Sequence, residues 1–171
     1  IVSTTGSIIG HYDTQYTVTF AQTGLSSDAA GNIVTVDGSP KTFGVLPYMK
    51  WVDSGSSVNY AYTSTVPSST PGKRYRLDSV TGPTSPISVT SAVTVTGNYV
   101  TQYSVTFTQT GLDSSATGTV ATVNGGGKTF GDLPYSLWVD KDLSVSYSYS
   151  SIVSSTTAGK RFKLINVVGP T

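Results

Sequence analysis

The chain has 171 residues, of which 37% are hydrophobic and only 11% charged, with a formal net charge of +1, no cysteine, one histidine and one methionine. That balance offers no electrostatic field for nucleic acid or an anionic membrane, and the missing thiols exclude cysteine catalysis, cysteine-ligated zinc and a disulfide framework. No apolar run reaches the roughly 20 residues that a membrane-spanning helix requires.

One unit is written twice. Shifting the sequence by 87 positions places Tyr16 on Tyr103 and Pro83 on Pro170, aligns 1–84 with 88–171 without a gap and leaves about half the residues identical, the signature of repeated modules. In chain order, the first copy predicts strands at 2–9, 11–22, 32–36, 41–43, 48–52, 57–64 and 74–80. Apolar residues alternate with polar ones in Tyr16-Thr17-Val18-Thr19-Phe20 and again in Val58-Asn59-Tyr60-Ala61-Tyr62, so one sheet face is apolar and the other polar. Asp37-Gly38 and its counterpart Asn124-Gly125 are tight-hairpin signals, because both dipeptides tolerate positive φ. No window carries a 3.6-residue apolar rhythm. The expected fold class is therefore all-β, with two tandem antiparallel β-sandwiches, immunoglobulin-like, of about seven strands each. The first repeat is 1–84 and the second 88–171, joined at 85–87 by a short linker stiffened by Pro83 and Pro86. The chain opens at Ile1 and stops at Gly169-Pro170-Thr171, where a further linker would begin; this suggests an excerpt of a longer array or a subunit continued by its neighbour.

Candidate chemistry is sparse. Trp51 and Trp138 occupy the same slot in Leu-Pro-Tyr-x-x-Trp-Val-Asp, either as core tryptophans or as glycan-stacking platforms, and the adjacent Val52 and Val139 favour the core. Tyr60, Tyr62, Tyr147 and Tyr149 are expected in the core for the same reason. Gly72-Lys73-Arg74 and Gly159-Lys160-Arg161 open strands, where cations blunt exposed sheet edges. Among the aspartates, a calcium site common to both copies would lean on Asp53 and Asp140 alone, and no EF-hand spacing is present. The single histidine, His11, is Asn98 in the other copy, so no catalytic residue, cofactor site or metal site is assigned and no enzymatic role is expected. N-glycosylation sequons are missing, while the Ser/Thr-rich stretches at 64–70 and 150–157 leave O-linked glycans open.

The succession Tyr-x-Val-Thr-Phe, Gly-Leu, Val-Asn/Asp-Gly, Leu-Pro-Tyr-x-x-Trp-Val-Asp, Ser-Val-x-Tyr-x-Tyr and Gly-Lys-Arg-Tyr/Phe-x-Leu resembles the tandem immunoglobulin-like repeats of prokaryotic, especially archaeal, cell-surface and extracellular filament proteins. The resemblance implies a cell-surface location and a structural role in a pilus-like filament or surface layer, or as an adhesin stalk recognising glycans. Two further features bear on the choice. A charged content of 11%, against about 25% in ordinary soluble domains, suggests a surface covered by copies of itself or by glycans. The leading strand of the first copy, with Val2, Ile8 and Ile9 as its apolar residues, is a free terminus able to complete a neighbour's sheet by strand addition. Head-to-tail donation of this kind grows an open polymer. The competing expectation is that 1–10 is the first strand of its own unit.

Overall fold

The computed structural model describes residues 5–169. The fold is all-β, and the helical turns among the described residues are two short 3-10 turns, Phe43–Val45 and Phe130–Asp132. The chain forms two compact units, Ile1–Thr101 and Gln102–Thr171. The first contains β1 (Gln15–Thr23), β2 (Val34–Val36), β3 (Ser39–Lys41), β4 (Tyr48–Asp53), β5 (Ser57–Val58), β6 (Tyr60–Tyr62), β7 (Thr65–Pro67), β8 (Lys73–Thr81), β9 (Ile87–Ser88) and the start of β10 (Val93–Phe107). The second takes the end of β10 and then β11 (Ala116–Thr117), β12 (Ala121–Val123), β13 (Gly126–Lys128), β14 (Tyr135–Asp140), β15 (Tyr147–Tyr149), β16 (Ile152–Ser155) and β17 (Arg161–Lys163).

In the first unit the main sheet runs β4-β1-β10-β8-β7, a smaller one runs β3-β2-β6, and β5 pairs with β9. In the second, β10 pairs with β14 from Gln102 onward, beside the three-stranded sheets β13-β12-β15 and β11-β16-β17. Both expected hairpins form: Val36 faces Ser39 across Asp37 and Gly38, whose φ values of 47° and 79° recur as 47° and 79° at Asn124 and Gly125. Two consecutive positive φ angles define the turn whose twist matches that of the flanking strands.

Repeat and compact unit do not share a boundary. Residues 88–101 open the second copy by alignment, yet Val93–Asn98 pair with Val18–Thr23 in the first unit, and β10 lies there between β1 and β8. That β1–β10 pairing is parallel, which departs from a purely antiparallel sheet. The expected linker is likewise built in: Ile87 is buried opposite Val58, the Ser85 hydroxyl oxygen accepts the Tyr60 amide at 2.9 Å, and the Tyr60 hydroxyl donates to the Pro83 carbonyl at 2.6 Å.

Alternation also decides the tryptophans, against their expected place in the core. Tyr16 faces Val52 and Phe20 faces Tyr48 across β1 and β4, so Val52 turns inward and its neighbour Trp51 must turn outward beside Thr17. Trp51 is 62% exposed and Trp138 37%. A buried valine next to a tryptophan on a strand therefore argues for an exposed indole. Tyr60 and Tyr62 do pack against the core of the first unit, whereas Tyr147 is exposed. The Ser/Thr-rich stretches hide β7 and β16, each anchored by one buried valine, Val66 or Val153.

Each unit carries a carboxylate that gathers its neighbours. Asp28 accepts hydrogen bonds from Ser68 at 2.5 Å, Thr70 at 3.1 Å, Lys73 at 2.9 Å and the Tyr75 hydroxyl. In the second copy Ser115 stands where Asp28 would be, and Asp113, two residues earlier, takes the matching Lys160 at 2.5 Å and the Ser115 hydroxyl at 2.5 Å. These bonds, led by Ser68, hold Asp28 well below the ordinary value of 3.8, and Lys160 and Ser115 bring Asp113 down to about 2. A carboxyl with a lowered folded-state pKa stabilises the fold above its unfolded value and ceases to do so as the pH falls through the folded one. The melting temperature should thus fall from about pH 4 toward pH 2. In calorimetry, a D28N/D113N variant should melt lower at pH 6 and show a flatter acid limb.

Candidate functional site

The candidate site is the place that β10 occupies in the first unit, compared with the same place in the second. In the first unit the inward positions of the segment are Val89, Val95, Gly97 and Tyr99, all buried. The Tyr99 hydroxyl donates to the carbonyls of Thr63 at 2.9 Å and Ile33 at 3.2 Å. The ring of Tyr62 lies so close to Gly97 that a Cβ there would stand 2.5 Å from it. That ring is held by its hydroxyl, which reaches the carbonyls of Ala21 at 2.6 Å and Val95 at 2.9 Å. Burial pushes the Tyr62 phenol up to about 12 and that of Tyr99 higher still, as expected for neutral donors in an apolar setting. Gly24, at φ +82°, gives room to the Tyr99 carbonyl, which a Cβ there would meet at 1.9 Å.

In the second unit the receiving residues recur and the filling strand does not. Among the described residues no strand takes the place between 102–107 and β17 that β10 holds between β1 and β8. Three observations mark the difference between the units. Gly111, the counterpart of Gly24 with nearly the same φ of +84°, meets nothing within 4 Å, and Gly169, the counterpart of the crowded Gly82, meets only the Tyr147 hydroxyl at 3.9 Å. Val18 and Val58 are 0% exposed, whereas their counterparts Val105 and Val145 are only half-buried. β8 has nine residues and β17 three, because a strand without a partner on one side loses half of its ladder. What results is an apolar groove of about 660 Å³, lined by Val105, Phe107, Val145, Tyr147, Phe162 and Leu164 among others.

The groove is preformed. The Ser150 amide donates to the Val120 carbonyl at 2.9 Å as the Thr63 amide does to Ile33 at 2.9 Å, so the backbone pairing that presents the two carbonyls to Tyr99 recurs in the second unit. The Tyr149 hydroxyl donates to the Thr108 carbonyl at 2.7 Å, as Tyr62 does to Ala21. The segment whose sequence matches the filling strand is the first of the chain. Residues 5–14 lie outside any strand and are exposed, with Ile8 at 100% and Tyr12 at 94%. By alignment Ile8 corresponds to Val95, Gly10 to Gly97 and Tyr12 to Tyr99, while Ile9 falls on Thr96, which alternates with the buried positions of β10. Val2, which aligns with Val89, lies outside the described residues. Gly10 and Tyr12 are the residues that the sequence reading missed. Their signal was available, for both are identical to their counterparts Gly97 and Tyr99 in a stretch where few residues are.

The other residues singled out from the sequence do not converge. Lys73 and Lys160 are engaged by Asp28 and Asp113, and Asp53 and Asp140 each receive a glutamine amide at 2.7 Å, from Gln15 and Gln102. His11 sits in the exposed leading segment, and the small polar pocket lined by Asp13, Thr14 and Asp53 does not include it. Among the described residues, no three His or Asp side chains gather as metal ligands, and no helix is long and apolar enough to cross a membrane.

No family model, curated protein or solved structure matches this chain. The groove is thus interpreted from the chain's own two copies. Because Val18 is sealed and Val105 is not, V18A should cost about 2 kcal/mol in urea unfolding and V105A less than half of that in the isolated monomer. Each unit holds one tryptophan, so W51F and W138F backgrounds report the two units separately.

Proposed function

We propose that this chain is a non-enzymatic structural subunit of an extracellular filament or surface layer. Its two units are immunoglobulin-like β-sandwiches, and it assembles head to tail by inserting its N-terminal strand into the second unit of a neighbouring copy. The observation that carries this reading is the mismatch between the copies. One unit is filled by the segment at 87–99, the other is open at the matching place, and the segment of matching sequence is exposed at the chain start. Strand addition satisfies an open sheet edge with backbone hydrogen bonds and covers an apolar face at the same time. A donor on one end and an acceptor on the other make a heterologous contact that does not close, which yields an open polymer.

Removing residues 1–12 tests the reading. The truncated chain should remain folded, with the circular dichroism of the intact monomer, because 5–14 contribute no strand to their own unit, and it should form no polymer by sedimentation or electron microscopy. Polymer of normal length from the truncated chain would rule the reading out, as would loss of folding.

A second reading, an adhesin or glycan-binding stalk, is favoured by one observation: Trp51 lies exposed beside Met49 on the outward face of β4. An exposed indole is a ready surface for sugar rings. On a glycan array, this reading expects binding that W51A abolishes and that W138A weakens, with polymer formation unaffected.

A further inference from the structure

The groove specifies how the donated strand lies in it, an inference that rests on the strand-donation reading above. We infer that residues 6–12 of a second copy enter the groove parallel to 105–110 in one register, fixed by Gly10 against the ring of Tyr149 and by Tyr12 reaching the carbonyls of Val120 and Ser150. Each element has its worked counterpart in the first unit. The Tyr62 ring leaves no room for a Cβ at Gly97, and Tyr149 is tethered through its hydroxyl to Thr108 as Tyr62 is to Ala21. Tyr12 then takes the place of Tyr99, and its own carbonyl comes to rest over Gly111, where the space is open.

Other registers fail on the same features. A slip of one residue turns Ile8 and Tyr12 to the outward face. A slip of two sets Ile8 or Tyr12 on the Tyr149 ring in place of glycine. A slip of four brings Gly6 onto that ring but leaves Ile8, which has no hydroxyl, below the two carbonyls, where Tyr12 would have satisfied them. Residues 13 and 14 correspond to Val100 and Thr101, which continue as strand in β10, so the donor runs on into β1 without slack. Gly10 and Tyr12 are therefore specificity-determining residues, and Ile8 supplies apolar area as Val95 does.

The chain has no cysteine, which makes the register directly readable. In the first unit Thr23 is the partner of Asn98, with their side chains hydrogen-bonded at 2.8 Å; the corresponding pair between copies is Thr110 and His11. Full-length H11C/T110C, oxidised after assembly, should give a ladder of covalent multimers on a non-reducing gel, while I9C/T110C, displaced by two residues, should give none. G10A should raise the protein concentration at which polymer appears about tenfold or more, and Y12F about threefold to tenfold, both with the monomer melting curve unchanged. A ladder from I9C/T110C, no ladder from either pair in polymers that still form, or G10A assembling like the parent would overturn this register while leaving strand donation in place. Polymer from the chain lacking 1–12 would overturn both.

Discussion

A strand that lies between two others satisfies three sets of backbone groups at once: its own and the inner edges of both neighbours. β10 does this in the first unit, and most of that unit's order follows from it. With β10 seated, β8 extends to nine residues, the apolar faces of Val18, Val58 and Tyr75 are sealed, the Tyr62 hydroxyl gains the Val95 carbonyl beside that of Ala21, and the Tyr99 hydroxyl reaches Thr63 and Ile33. An unpaired edge costs backbone hydrogen bonds and an uncovered face costs apolar burial. Placing one segment removes both penalties together.

The second unit serves as an internal control. Its residues at the receiving positions are nearly those of the first, so the difference in burial at Val105, Val145 and Phe162 cannot come from composition. It goes with the strand that lies in place in the first unit and has no described counterpart in the second. The first repeat is completed by the opening segment of the second, Val93–Asn98 lying along Val18–Thr23, and among the described residues no strand stands at the matching place of the second unit. The sequence repeat and the folded unit are therefore out of phase by one strand. The Asp28 and Asp113 clusters point the same way. Two carboxylates at non-equivalent positions hold equivalent lysines, so the scaffold around the groove is maintained in both copies while only the filling differs.

Much of the fold was legible because it is local. Alternation in Tyr16, Val18 and Phe20 gave β1, Asp37-Gly38 and Asn124-Gly125 gave the hairpins, and the lack of helical periodicity gave the class. Partnership was not legible. Alignment assigns Val89–Thr96 to the second copy, but which sheet a strand joins depends on long-range pairing that no local pattern encodes. The tryptophans show a different failure. Hydrophobicity and size pointed Trp51 inward, while the strict two-residue period, already fixed by Val52, pointed it out, and the period won. In the segment proposed as donor, Ile8 stands out by hydrophobicity. Gly10 and Tyr12 do not stand out by apolar character, and the part their counterparts Gly97 and Tyr99 play, leaving room for a ring and reaching two carbonyls, is visible only in the filled copy.

The parallel run of β1 against β10 has a mechanical side. A pull applied to the first unit through its two chain connections draws the start of β1 one way and the end of β10 the other, along the direction of the strands. The six register pairs from Val18–Val93 to Thr23–Asn98, whose slanted bonds are evenly spaced in a parallel ladder, then share the load in shear instead of parting one after another like a zip. A thread of such units would resist stretching without a single covalent cross-link.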